Sequence, residues 1–517
     1  MVAEKGNSGK ESQLAQAAGF AVCQPTAFPV MMGFMEKKPP SLDEVFSPRG
    51  VAVVGASSTG AGFATGVLVA LKQAGFPAIY PVNPKYKEVM GWPCYPNIRD
   101  IPGIVDHVIV SIPAESALAL LDDCAAKGVR SVHFFTAGFS ESGEAKQAEL
   151  EQAMLKKARE GGFRIIGPNC IGLFVPKSRL VNTAEGSMEP GPVAFISQSG
   201  GHANNMPVYS SPRGLRFSKI VSYGNGLDVD ESELLEYLGR DPETEIIAAY
   251  IEGVKDGQRF HAALERAAAR KPVVIYKGGT TEAGQRAAYG HTASLTNSIT
   301  VFNTLCHQMG TIQADDIDEL IDVLVALRFV KPLPRNTGVA VIGGGGGPSV
   351  QASDEMEKAG LYMPNLSSEV RDELKQVLRV VGSILANPID ASNLTNPETI
   401  KATMRIVSRL PDINMLIYHL GFHPIGSWGG GRFSSPSFFK PAINGMKEVQ
   451  KESGKPVLMV MRPGLNLEDM KEFLATQEAF TNAGFPVFYS LGQAARAMSR
   501  VIAWNRRHEA ILPPPPH

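Results

Sequence analysis

The chain has 517 residues, 44% of them hydrophobic and 20% charged, which excludes a disordered or fibrous polypeptide. At about 150 residues per domain this length exceeds one hydrophobic core and implies about three domains. Its 50 basic and 51 acidic residues nearly cancel, so no overall field attracts nucleic acid, and recognition falls to local sites.

Five cysteines (Cys23, Cys94, Cys124, Cys170 and Cys306) show no CxxC spacing. Such a sparse, odd set suits a reducing compartment and predicts a cytoplasmic protein. The apolar stretch 19–35 is broken by Pro25 and Pro29 and has no basic region before it. It reads as part of a mobile extension, residues 1–44, rather than a targeting segment. No run approaches the ~20 apolar residues of a spanning helix, so no membrane contact is expected.

From residue 51 onward short apolar runs alternate with amphipathic stretches, the βαβ pattern of a parallel sheet. Runs at 51–55, 78–82, 107–112, 131–136 and 164–166 read as strands, with helical patterns at 64–74 and 115–127. They define a doubly wound first domain over 45–175. A proline- and glycine-marked connection leads to runs at 193–196, 217–221, 246–251 and 273–275, a second α/β domain over 190–330. Its last helix runs into Lys331-Pro332-Leu333-Pro334, a stiff stretch of the kind that joins domains. A third series, at 338–342, 415–420, 457–461 and 486–490, gives a further α/β domain over 336–505, followed by a proline-rich tail over 506–517.

Each domain carries a strand-to-helix turn with chemical potential. In the first, Val53-Val54-Gly55-Ala56-Ser57-Ser58 closes a strand, and Gly60, Gly62 and Gly66 open the next helix. Glycines there let backbone N–H groups approach a phosphate at the positive end of a helix, although a tight turn without ligand has the same look. A nicotinamide dinucleotide site would place an acidic residue at the end of the second strand. This chain has Pro81-Val82-Asn83-Pro84-Lys85-Tyr86 instead, and Lys85 suits a phosphate unless it is an ordinary surface lysine. Ser111-Ile112-Pro113 closes the next strand at the same rim. In the second domain Ile196-Ser197-Gln198-Ser199-Gly200-Gly201 forms another anion cradle, and Gly290-His291-Thr292-Ala293-Ser294-Leu295 presents a histidine among small residues on a glycine-hinged loop. In the third, the five glycines Gly343 to Gly347 exceed what a structural turn requires and should cradle an anion.

Together these motifs, with Gly167-Pro168-Asn169-Cys170-Ile171-Gly172, Tyr250-Ile251-Glu252-Gly253, Tyr276-Lys277-Gly278-Gly279 and Asn387-Pro388-Ile389-Asp390, resemble the NDP-forming acyl-CoA synthetases and the succinyl-CoA synthetase alpha subunit. The likeness spans roughly residues 45–500 in about six local motifs. It implies a Rossmann-like CoA-binding domain followed by two flavodoxin-like ligase domains. It further implies CoA held by Gly55, Ser57, Ser58, Lys85, Ser111 and Pro113, with Asn169 and Cys170 near the CoA thiol end. Taken alone, Cys170 is as well read as a buried structural cysteine.

By the same resemblance His291 is the phosphorylated histidine, oriented by Glu252, and its phosphate lies between the helix ends at Ser199-Gly200 and Gly346-Gly347. Imidazole suits the task because its neutral form is nucleophilic near pH 7. Lys277 reads equally as a phosphate neighbour or as a solvated strand end. His202 departs from the family pattern, where many relatives have a small residue. The family's ATP-grasp module is not found here, nor is a Walker A sequence. ATP or ADP with Mg²⁺ is therefore expected on an ATP-grasp beta-type partner subunit, in a hetero-oligomer or homodimer that joins a small carboxylic acid to CoA, with the His291 loop moving between sites. The rival readings are a non-catalytic CoA-binding regulatory subunit and an NAD-dependent oxidoreductase.

Overall fold

The computed structural model describes residues 38–58, 62–292, 298–420, 436–463 and 466–511. Residues 1–37 of the expected extension, and the prolines at 513–516, lie outside the described residues. The boundaries move at both ends. Ser41 caps the short helix Leu42–Phe46, whose Leu42, Val45 and Phe46 are buried, so the folded part begins before residue 45. The final helix, Leu491–Ile511, runs past residue 505, with Val501 and Ile502 in the core.

The first sheet is built from β1 (Val51–Val54), β2 (Ile79–Val82), a small antiparallel hairpin of β3 (Glu88–Val89) and β4 (Trp92–Pro93), then β5 (His107–Val110), β6 (Ser131–Phe134) and β7 (Arg164–Ile166). Its order is β2-β1-β5-β6-β7, all parallel. The second sheet comprises β8 (Leu173–Phe174), β9 (Pro190–Ser197), β10 (Phe217–Ser222), β11 (Ile246–Ile251), β12 (Val273–Lys277) and β13 (Ile312–Ala314), in the order β13-β12-β11-β9-β10-β8. The third comprises β14 (Val339–Ile342), β15 (Ile384–Leu385), β16 (Ile389–Asp390), β17 (Met415–Leu420), β18 (Val457–Met461) and β19 (Val487–Phe488), in the order β15-β16-β14-β17-β18-β19. β8 and β15 are antiparallel edge strands. Residues 173–174, expected at the end of the first domain, thus belong to the second sheet, where Leu173 and Phe174 pair with Val221 and Ile220.

Val-Ala-Val-Val in β1 and Val-Ala-Val-Ile in β14 are buried throughout, as parallel strands covered on both faces must be. Each fully buried valine contributes about 1.5–3 kcal/mol relative to exposure. One apolar core joins residues of the first and second sheets, such as Val51 and Ile247. Another joins the second and third, such as Val193 and Val339, through the helices Ile317–Phe329 and Leu491–Ile511. In every sheet the first parallel strand lies between the second and the third, so the chain reverses its winding direction there. Outside the carboxyl ends of such strand pairs a crevice opens that can hold a ligand.

Candidate active site

At the first crevice β1 ends in Gly55, with φ +94°, and a Cβ there would come within 2.2 Å of the Ser111 carbonyl oxygen. Only glycine lets the turn pass so close to the end of β5. Next to it opens a cleft of about 590 Å³ lined by Gly55, Ser57, Asn83, Lys85, Tyr86 and Pro113, among others. Asn83 shapes its rim: its Nδ2 donates to the Ala56 carbonyl at 2.7 Å and its Oδ1 accepts from Lys85 N–H at 3.0 Å. Ser57 and then Ser58 hydrogen-bond the Tyr86 phenol and hold its pKa below the ordinary value. Lys85 itself is exposed at this rim. A cation, hydroxyls and a glycine turn suit a phosphorylated ligand, which fits CoA.

Asn169 and Cys170 are not among the residues lining this cleft. The Cys170 thiol is 3% exposed and donates to the Phe134 carbonyl at 3.6 Å, and burial pushes its pKa well up. In this structure it packs in the interior. The segment around it bridges two sheets. Asn169 N–H donates to Thr136 O at 2.9 Å, Asn225 N–H to Pro168 O at 3.0 Å, and Ile171 N–H to Ser222 Oγ at 3.2 Å. A Cβ on Gly200 would meet Ile171 at 3.5 Å. The element therefore runs from the rim of the first sheet to the turn after β9.

That turn is the second crevice. Ser199 caps the helix Gly200–Ser210, its Oγ accepting from His202 N–H at 3.3 Å. Opposite stands the end of β11, where Glu252 is 6% exposed, a buried carboxylate rather than a surface one. The Gln198 side-chain oxygen accepts from Glu252 N–H, and from Gly253 N–H at 3.0 Å. Lys277 Nζ donates to the Glu252 carbonyl at 2.6 Å and to the Gly278 carbonyl at 2.5 Å. At 5% exposure Lys277 is no solvated strand end, and among the described residues its hydrogen bonds go to backbone. Burial lowers its pKa, opposed by the charge of Glu252. Tyr250 and Tyr276 sit side by side on β11 and β12, with ring centroids 5.1 Å apart, and the His202 ring lies 4.5 Å from Tyr250. Burial, with the neighbouring Glu252, raises the Tyr250 phenol, and burial lowers the His202 imidazole against the pull of Glu252.

His291, expected on a loop, lies in the last turn of the helix Glu282–Thr292. Its side chain, and residues 293–297 of its motif, lie outside the described residues.

At the third crevice Gly345 precedes the helix Gly346–Lys358, and its N–H donates to Asp390 Oδ1 at 3.1 Å. The Gly346 and Gly347 backbones face open space. Gly344 (φ +103°) sits on the His419 ring, where a Cβ would lie 2.4 Å from Nδ1. Burial, reinforced by the charge of Arg462, holds the His419 imidazole down at about 4. Asn387 acts as a strand surrogate: its Oδ1 accepts from Val341 N–H at 3.1 Å and its Nδ2 donates to Val339 O at 2.8 Å.

The structure thus gathers Gly55, Ser57, Lys85 and Pro113 around one cleft, with Ser58 against its rim and Ser111 behind its turn. It gathers Ser199, Gly200 and Glu252 at another crevice. Sequence reasoning gave Gln198, Tyr250, Asn83 and Tyr86 no role of their own. All four stand next to residues it selected, at strand ends, which was the available signal.

A family model for a CoA binding domain matches residues 49–176, and one for a succinyl-CoA ligase-like flavodoxin domain matches residues 190–327. The chain is 36% identical over 433 residues to the ADP-forming acetate–CoA ligase II subunit alpha of Pyrococcus furiosus, covering 84% of this chain and 92% of that one. It is 31% identical over 461 residues to the ADP-forming acetate–CoA ligase I of Archaeoglobus fulgidus, covering 89% of this chain but only 63% of that longer protein. Among solved structures, the dinucleotide forming acetyl-coenzyme A synthetase 1 of Ca. Korarchaeum cryptofilum, in complex with phosphate and ADP, superposes with a TM-score of 0.75 at 30% identity. That match covers 91% of this chain and 98% of the other. The fold is that of a CoA-dependent ligase. The chain belongs to the family of NDP-forming acyl-CoA ligases, as an alpha-type subunit, and is an acid–thiol ligase. The regulatory, non-catalytic reading is not favoured.

Proposed function

We propose that this subunit forms an acyl-CoA thioester through a phosphohistidine at His291 and an acyl phosphate, or runs the same steps in reverse. The observation that carries the reading is the second crevice: a buried carboxylate, Glu252, stands across from the helix N-terminus at Ser199–Gly200. Glu252 orients the His291 imidazole, and the helix end offsets charge on the transferred phosphoryl group. An imidazole nitrogen of His291 takes the phosphoryl group from ATP and passes it to the substrate carboxylate, breaking the N–P bond as an O–P bond forms. The CoA thiolate then attacks the acyl carbon and inorganic phosphate leaves. Gly55, Ser57, Ser58 and Lys85, with Ser111 and Pro113, hold CoA at the first crevice. Asn169 and the main chain around it lead from that cleft to the second crevice. Gly346 and Gly347 add a second positive helix end on the third domain.

ATP with Mg²⁺ is handled by an ATP-grasp beta-type subunit, in line with the alpha-subunit naming of the Pyrococcus relative. A small carboxylic acid is the substrate, since that relative and the Archaeoglobus one are named for acetate. The protein works in the cytoplasm, a reading supported by four free cysteines and by the lack of a helix long and apolar enough to cross a membrane among the described residues.

Incubation with γ-labelled ATP and Mg²⁺, alone and with the ATP-grasp partner, tests the relay. Acid-labile label should appear only with the partner and vanish in His291→Ala while CoA binding persists. An unchanged signal in that variant overturns it.

A further inference from the structure

We propose that Lys277 and Gln198 are positioning residues of the phosphoryl relay, fixing the main chain of Glu252 from both sides so that its carboxylate is held for His291. The inference rests on the reading above that Glu252 orients His291. β11 and its pairing with β12 end at Ile251, so Glu252 lies one residue beyond that ladder. Two side chains supply what the ladder does not. From the residue just after β9, the Gln198 side-chain oxygen accepts from both the Glu252 and Gly253 N–H groups. From β12, Lys277 Nζ takes the Glu252 carbonyl at 2.6 Å. The backbone of Glu252 is thus tied at both its donor and its acceptor.

Lys277 does more than satisfy a carbonyl. Its ammonium also binds Gly278 O at 2.5 Å, and Gly278 N–H donates to Ile251 O at 2.9 Å. One cation therefore ties the residue that carries the carboxylate to the start of the segment leading into the helix Glu282–Thr292, which bears His291. The surroundings make this an expensive choice for mere packing. Lys277 is 5% exposed and lies 5.6 Å from the centre of the Phe302 ring, and its described hydrogen bonds are to neutral carbonyls. A buried ammonium whose hydrogen bonds go to neutral carbonyls is costly even with the Glu252 charge nearby. A positioning role gives a reason to keep it, because misplacing a reacting group by about 1 Å can lower a rate about 100-fold.

The test uses the full chain with its ATP-grasp partner and γ-labelled ATP, measuring the rate of label incorporation in Lys277→Met, Gln198→Met, Glu252→Gln and the double variants. Each single variant should label about 10- to 100-fold more slowly, with the Kd for CoA unchanged. Because both residues act through Glu252, adding Lys277→Met or Gln198→Met to Glu252→Gln should cost nothing further. Losses that multiply in the double variants, or single variants at wild-type rate, overturn the proposal. Wild-type labelling in Glu252→Gln instead overturns the role of Glu252, and absence of label in the wild type overturns the relay, and the proposal falls with either. If Lys277→Met fails to fold, Gln198→Met carries the same comparison from the opposite side.

Discussion

Arg213 and Asp322 meet at 2.7 Å, 4% and 1% exposed, where the second domain meets the third. The guanidinium also donates to the Val487 carbonyl at 3.0 Å and lies 4.9 Å from the centre of the Tyr489 ring. Breaking a buried pair from one side leaves a charge stranded, at a cost of about 3–5 kcal/mol. Asp322→Ala should therefore lower the melting temperature markedly. Arg213→Met with Asp322→Leu should recover most of the loss, as differential scanning calorimetry will show. A single variant that melts like the wild type contradicts the assignment.

Gly55→Ala should abolish CoA binding while leaving the other two sheets folded. The added Cβ would lie 2.2 Å from Ser111 O on a backbone with φ +94°, and such strain costs on the order of 1–3 kcal/mol even before the turn shifts. Calorimetric titration with CoA, beside a circular dichroism spectrum, separates lost binding from lost fold.

Two buried histidines set an acid limit. Burial, with the neighbouring His133 charge, pushes His107 down to about 3. Burial pushes His133 down to about 4 against the hydrogen bond its Nε2 donates to Cys170 O, and the ordinary value is 6.5. The unfolded chain binds these protons at higher pH than the folded one, so their stabilising contribution is complete above 6.5 and is lost as pH falls from there toward about 4 and then about 3. Melting temperature should drop steadily across that window, and less steeply in His107→Gln. A flat profile contradicts it.

Much of this architecture was legible in the residues. Val51 to Val54 and Val339 to Ile342 are continuous apolar runs bounded by glycine, and both became buried parallel strands. The turns they end in mark the crevices for the same reason. What periodicity could not reveal was pairing. Leu173 and Phe174 read as the end of one domain but pair with β10 of the next, because two residues carry no period of their own. Burial of charge was equally hidden: Lys277 has the composition of a surface residue, and only the third dimension puts Glu252 O and Phe302 against it. Gly290 just before His291 reads as the hinge of a loop, yet helix extends through Thr292. One glycine weakens a helix by roughly 1 kcal/mol without ending it.

Replacement of Cys170 by alanine should leave turnover within about twofold and cost about 1 kcal/mol of stability. Its thiol faces the Phe134 carbonyl and fills space against Gly167, where a Cβ would come within 2.7 Å of Sγ. Steady-state kinetics with CoA as the varied substrate will separate this packing role from a direct one, which a large rise in KM would indicate.

The same sealing reaches beyond that residue. Cys94, Cys124, Cys170 and Cys306 are all buried, and burial raises each thiol's pKa, so little reactive thiolate is presented to solvent by these four. A colorimetric thiol reagent added to the native enzyme would therefore titrate the sulfhydryl of free CoA ahead of these side chains. Consumption of CoA can be read as a smaller colour yield in successive samples, and later colour from the four sulfurs marks the moment the fold opens.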